Sequence, residues 1–283
     1  MKPGGQTSRI SLERAEKESA LGSFFNQANV DTALSLFALS SLIASHDKIL
    51  EAFLDSSHTL SEKEELASAL LQGASPNAAK AAALLSSLAW SRREDLAWAA
   101  EKMGKDCLIE GAKNRKTAQK VRGELELFQE LASSHPLLDR CLSDKLASGQ
   151  KRKELCEKLI PEGFEEESRI LAARCAQEGG GRYSSLLGEQ IEAVTSSLGE
   201  AGIEVRSASL LTSGQVEALK AAFSKKLKKP VHVRQLLDPS LVGGFTVRCG
   251  ADVTDMSASS QLEALKANME TKLAFCAKIE GNK

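Results

Sequence analysis

Residues 236–266 read LLDPSLVGGFTVRCGADVTDMSASSQLEALK, and the reading of this stretch decides the fold of the C-terminal part. Asp238-Pro239 makes a turn, because proline fixes φ and biases the residue before it away from helix. Val242–Cys249 then predicts a strand with Phe245, Val247 and Cys249 on one face. Gly250-Ala251-Asp252 supplies a short hairpin loop into Val253-Thr254. Ser257 is placed to cap a helix whose apolar positions are Leu262, Leu265, Met269, Leu273 and Cys276. Gly243-Gly244 fits a bulge or a close helix–strand approach. A phosphate cradle needs a helix directly after the glycines, and here a strand follows.

Upstream, Ile203–Ser207 alternates as a strand does, and so does Val231–Arg234. Between them Thr212-Ser213-Gly214-Gln215 has capping-box spacing, with Leu211 and Val216 at the staple positions. The helix that follows carries Leu219, Phe223 and Leu227 on one face and ends in Lys225, Lys226, Lys228 and Lys229 before Pro230. Lysines there complement the negative end of the helix dipole, and without interleaved aromatics they do not make a nucleic-acid site. The order β-α-β-β-β-α predicts a small sheet covered by two helices.

From Ser8 to Gly199 the pattern is helical, broken by Pro76, Pro136 and Pro161. Helices are expected over 9–28, 31–56, 60–72, 76–89, 92–111, 114–133, 136–146, 148–160, 164–177 and 182–199. Asp31 and Ser61-Glu62-Lys63-Glu64 read as start signals, and Glu165-Glu166-Glu167 as first-turn acids facing the helix dipole. An internal repeat runs through this part at an offset of 89, where Leu42, Ser45, His46, Asp55, Glu65, Leu66, Leu70 and Arg93 match Leu131, Ser134, His135, Asp144, Glu154, Leu155, Leu159 and Arg182, and Lys63 pairs conservatively with Arg152. The repeated order is long helix, Ser-His turn, short helix and Lys/Arg-rich helix. His46 and His135 are read as turn residues.

The predicted fold is therefore mainly α with a small α+β domain: two consecutive N-terminal helical bundles followed by a C-terminal sheet covered by two helices. The expected segments are a disordered tail over 1–8, a first bundle over 9–105, a second over 106–199 and the α/β domain over 200–283.

Composition narrows function. In 283 residues of net charge −1, nothing argues for nucleic acid or an anionic membrane. At 4% aromatics, with abundant Ala, Leu and Ser, helix-on-helix packing through small residues is favoured. No stretch approaches the ~20 apolar residues of a membrane span, and MKPGGQTSR has no apolar core of a signal peptide. The six cysteines (107, 141, 156, 175, 249 and 276) form no CxxC pair and fit a reduced compartment. No catalytic, cofactor-binding or metal-ligating set stands out.

The stretch DPSLVGGFTVR (238–248), followed by Asp255-x-Ser257 and a leucine-rich final helix, resembles the C-terminal signature of the ATP synthase delta subunits. Their mitochondrial counterpart is the oligomycin-sensitivity-conferring protein. Where that family usually has Asp-Gly-Ser, this chain has Asp255-Met256-Ser257. LIEGAKNRKTAQKVRGELELFQELASSHPLLDRCLSD (108–144) and QKRKELCEKLI (150–160) resemble the family's N-terminal bundle. The extension before them resembles high-GC Gram-positive members, in which a duplicated bundle precedes the usual one. The resemblance implies a non-catalytic stator subunit of a proton-translocating ATP synthase. It implies a bundle on the crown of the α/β catalytic head, gripping N-terminal helices of the α subunits, and an α/β domain holding the C-terminal end of the peripheral-stalk b subunit. It further implies attachment to the cytoplasmic face of the membrane through other subunits. The alternative is a helical-repeat adaptor unrelated to ATP synthase.

Overall fold

The computed structural model describes residues 5–17, 24–26, 28–71, 75–238, 241, 243–250 and 252–257. The chain divides between Leu198 and Gly199 into two compact units. The first is helical: α1 (Gln6–Lys17), α2 (Val30–Ser45), α3 (Asp47–Leu54), α4 (Leu60–Leu70), α5 (Pro76–Ser86), α6 (Asp95–Asn114), α7 (Ala118–Ser134), α8 (Pro136–Ser143), α9 (Gly149–Leu159), α10 (Glu166–Glu178) and α11 (Tyr183–Ser197). Helix α1 starts at Gln6, so Gln6–Ser8 are helix and not tail.

The single helix expected over 31–56 is two helices bent by 109° at His46. The reason is local. His46 is extended, with φ −137 and ψ 100, and the last acceptors of the helix are shared with side chains: Ser45 Oγ donates to the Ser41 carbonyl at 2.7 Å, and the His46 ring lies 3.3 Å from the Leu42 carbonyl. Two expected start signals also move. Asn29, not Asp31, caps α2, and Asp31 lies inside its first turn. The capping box of α4 joins Thr59 to Glu62: Thr59 Oγ1 accepts from the Glu62 N–H at 3.3 Å, and the Glu62 carboxylate accepts from the Thr59 N–H at 2.7 Å.

The repeat is carried by structure as well as by letters. Helices α3 and α4 have the bounds of α8 and α9 shifted by 89 residues. Thr59 and Ser148 cap α4 and α9 at matching positions. The buried residues Thr32, Ala33, Leu36, Leu39, Ser40 and Ile43 of α2 correspond to buried Val121, Arg122, Leu125, Phe128, Gln129 and Ala132 of α7. At the first repeat's bend Ser45 Oγ lies 2.8 Å from His46 Nδ1, and at the second Ser134 Oγ lies 3.0 Å from His135 Nδ1.

The expected boundary at 105/106 falls inside α6, which runs unbroken from Asp95 to Asn114. Helix α6 corresponds to α11 of the second repeat, yet it also stands before α7 as that repeat's opening helix. Leu96, Ala99, Ala100, Met103, Cys107 and Leu108 are all 1 % exposed or less, and Gly104, Ile109 and Gly111 are buried too. Burial on so many sides is what a helix shared by two bundles requires. One hydrophobic core accordingly includes Phe37 and Phe53 of the first repeat and Phe128 and Tyr183 of the second.

The second unit contains β1 (Ala201–Ser207), α12 (Ser213–Leu227), β2 (Val231–Leu237), β3 (Gly244–Cys249) and β4 (Asp252–Ser257). The sheet order is β2-β1-β3-β4, with β1 parallel to β2 and the other pairings antiparallel. Ile203, Val205, Val231 and Val247 form its core, against which Leu219, Phe223 and Leu227 of α12 and Phe245 and Cys249 of β3 pack. The Thr212–Gln215 capping box forms as the spacing predicts. Gly244 has φ +77 at the start of β3, so backbone conformation already calls for glycine there. Met256 pairs with Phe245 in the β3–β4 ladder, an extended setting that makes no demand for glycine. The final helix, with Leu262, Leu265, Met269, Leu273 and Cys276, lies outside the described residues.

Candidate interaction surfaces

Charged side chains fasten the helical unit across its two repeats. The Arg174 guanidinium of α10 pairs with the Glu101 carboxylate of α6, with Nε 3.0 Å from Oε1 and Nη2 on Oε2. Lys105 of α6 pairs with Glu178 of α10 at 2.7 Å. Arg182 reaches Asp139 at 2.9 Å, and Asp139 also accepts the Ser184 N–H that opens α11. The three glutamates at the start of α10 do more than face the dipole. Lys120 donates to Glu165 at 2.6 Å, the Arg115 guanidinium pairs with buried Glu167, and Glu124 accepts the Glu165 N–H at 2.9 Å. The pairs made by the buried carboxylates Glu101, Asp139 and Glu167 oppose relative movement of the helices, because breaking one strands a charge away from water.

At the N-terminal end, Asp95 of α6 accepts from Ser8 Oγ at 2.7 Å, the Gly5 N–H at 3.2 Å and the Arg92 guanidinium at 3.0 Å. Burial raises this carboxyl group, but the hydrogen bonds from Ser8, Gly5 and Arg92 outweigh it and hold the pKa below the ordinary value. Cys156 and Cys175 are inert: burial pushes both thiols up to about 12. His46 and His135 belong to the two turns, and among the described residues no group of three or more His, Cys, Asp or Glu is placed to hold a metal.

The outer surface distinguishes the repeats. Leu127, Leu137 and Leu146 of the second are 61 %, 77 % and 97 % exposed. Their counterparts in the first are Ala38, Lys48 and Ser57. Exposed leucines on helix surfaces, here Leu127 and Leu137, are the anchors an incoming amphipathic helix uses, and among the described residues the second repeat carries more exposed leucines than the first. In the sheet unit β2 and β4 are the edge strands, and Glu204 of the inner strand β1 pairs with Arg234 of β2 and, at 2.7 Å, with Arg206. The lysines closing α12 sit at its C-terminus as expected, with Lys226 Nζ 5.9 Å from the centre of the Phe223 ring. Among the described residues no single helix is long and apolar enough to cross a membrane.

The described residues form a braced helical body and a small sheet. Residues 106–269 match the family model "ATP synthase delta (OSCP) subunit". The chain is 30% identical over 240 residues to the ATP synthase subunit delta of Kineococcus radiotolerans, covering 84% of this chain and 87% of that one. It is 29% identical over 262 residues to that of Pseudarthrobacter chlorophenolicus, covering 89% and 94%. The subunit of Bifidobacterium animalis subsp. lactis aligns over 271 residues at 27% identity, covering 94% of this chain and 98% of the relative, so the first repeat has a counterpart there. An unrelated helical-repeat adaptor is set aside by these matches: the chain belongs to the ATP synthase delta (OSCP) subunit family.

Proposed function

We propose a division of labour for this stator subunit: the helical unit grips the catalytic head, and the sheet unit holds the peripheral stalk. The reading is carried by the extent of the family match, 106–269, which spans the second repeat and the sheet unit together. Within the helical unit, the second repeat receives N-terminal helices of the α subunits on its leucine-bearing surface. The first repeat is the extra copy, joined through the shared helix α6. The sheet unit receives the C-terminal end of the b subunit.

The physics suits a part that resists torque and turns over no substrate. Helix-in-groove binding supplies long-lived contacts through i, i+3 and i+4 anchors. Ion pairs between buried or half-buried groups such as Glu101–Arg174 keep the receiving body from shearing. Association with the cytoplasmic face of the membrane then comes through the other subunits. The test is affinity capture of the tagged full-length chain from solubilised membranes, with identification of the retained subunits. Recovery of α, β and b supports the reading; recovery of b-free, head-free chain overturns it.

A further inference from the structure

The two repeats differ at one buried position in a way that leaves a cavity. In the second repeat Arg152 of α9, 7 % exposed, gives its guanidinium to four carbonyls: Ala176 at 2.8 Å, Asp144 at 2.7 Å, Gln177 at 3.0 Å and Ala147. Gly179 leaves room for it, since a Cβ there would lie 2.6 Å from Arg152 Nη2. Moving back by 89 residues replaces Arg152 with Lys63, and the residues around it with Asp55, His58, Ser87, Leu88 and Trp90. In the first repeat this place is a cavity of about 460 Å³, lined by Lys63, His58, Ser87, Leu88, Trp90 and Arg93 among others. Its size is that of a small-molecule site.

Lys63 is 5 % exposed, and among the described residues its side chain makes no hydrogen bond or salt bridge. The exposed Asp55 carboxylate feels its charge. The Lys63 ammonium is not fully enclosed: it opens on the cavity it lines, where an anion would supply the hydrogen-bond acceptor its side chain lacks. The other basic side chains at the cavity already have acidic neighbours: His58 lies 4.0 Å from Asp55 and 3.8 Å from Glu62, and Arg93 lies 3.2 Å from Glu51. The Trp90 indole N–H is held by the Leu85 carbonyl at 3.0 Å, which fixes the ring as part of the wall. Leu54, Leu60 and Leu88 add apolar surface.

We propose that this cavity of the first repeat binds a small organic oxyanion, a phosphate or a carboxylate, with Lys63 as its principal ligand and the Trp90 side against its body. The extra copy of the bundle thus carries a ligand site where the second copy carries a structural arginine. The proposal is independent of which partners the two units hold.

The experiment is calorimetric titration of the full-length chain with inorganic phosphate, AMP and citrate at matched ionic strength. Native chain, Lys63→Met and Lys63→Arg are compared, and the melting temperature of each is recorded. The expected result is one-to-one saturation by at least one probe, weakened by about tenfold or more in Lys63→Met without a lower melting temperature. Lys63→Arg keeps the positive charge but cannot seat as Arg152 does, since Trp90 stands where Gly179 leaves room, and it is expected to retain binding better than Lys63→Met. Saturation by phosphate or AMP identifies a phosphate site, and saturation by citrate alone a carboxylate site. Absence of saturable binding for all three probes, or equal binding by native chain and Lys63→Met, overturns the proposal.

Discussion

Arg174 and Glu101 form a two-pronged ion pair between α10 and α6, at 13 % and 3 % side-chain exposure, with the guanidinium carbon 4.4 Å from the centre of the Phe37 ring. One side chain of the second repeat thus touches the helix shared by both repeats and an aromatic ring of the first. Removing Arg174 leaves Glu101 buried without its partner, so Arg174→Ala is expected to cost about 3–5 kcal/mol in urea denaturation of the helical unit. The double change Glu101→Met with Arg174→Met is expected to recover most of that loss. A double variant no more stable than Arg174→Ala would count against the pair as the brace.

Gly104 and Gly123 make opposite predictions although both are helical glycines. A Cβ on Gly104 would lie 2.6 Å from the Phe37 ring, and that ring is buried beneath Arg174. Gly104→Ala is therefore expected to destabilise by about 1–3 kcal/mol, even though alanine is the better helix former. A Cβ on Gly123 meets nothing within 4 Å, so Gly123→Ala is expected to stabilise by about 0.4–1 kcal/mol. Thermal denaturation of both variants decides; the same sign for the two would show that the Phe37 contact does not govern position 104.

Asp95 ties the start of α1 to α6, and its depressed pKa makes the tie pH-dependent. A carboxyl group lowered in the folded state adds stability at pH values above the unfolded value of 3.8 and loses it as pH falls through the folded one. Acidification below pH 3.8 should accordingly release the N-terminal helix. Asp95→Asn should flatten this limb of the stability–pH curve and weaken protection of the α1 amides at neutral pH. Hydrogen exchange read at α1 is the check, and an unchanged acid limb in Asp95→Asn would refute the assignment.

In the sheet unit, Gly244 is held at φ +77, a conformation in which an L side chain is strained. Gly244→Ala should destabilise that unit by about 1–2 kcal/mol while the helical unit melts as before. Differential scanning calorimetry separates the two effects, and a shift confined to the helical transition would contradict it.

The legible part of the fold was the part written in periodicity. Ile203, Val205 and Val247 sit at alternating positions and are the sheet core. The repeat marked Ser45-His46 and Ser134-His135 as turns at a common offset, although the helix expected over 31–56 ran through the first of them. The shared role of α6 was not legible, because Ala, Gly and Met buried on several sides leave the same letters as an ordinary small-residue helix face. The start signals moved for a related reason: Asp31 and Ser61 have the right chemistry, but cap geometry chose Asn29 and Thr59. Lys63 and Arg152 matched as conservative letters, and only the packing around them separates a filled position from an open one. The leucine surface of the second repeat needed exposures, since Leu127 and Leu142 look alike in sequence and only Leu142 is buried.

The central claim is that the two units hold different partners, and separating them at Leu198/Gly199 tests it most directly. Fragments 1–198 and 199–283 are each titrated against the isolated catalytic head and against a peptide of the C-terminal stalk helix, with the full chain as reference. The account predicts that 1–198 binds the head with near full-chain affinity and ignores the peptide, while 199–283 does the reverse. Binding of 199–283 to the head as tightly as the full chain would contradict it.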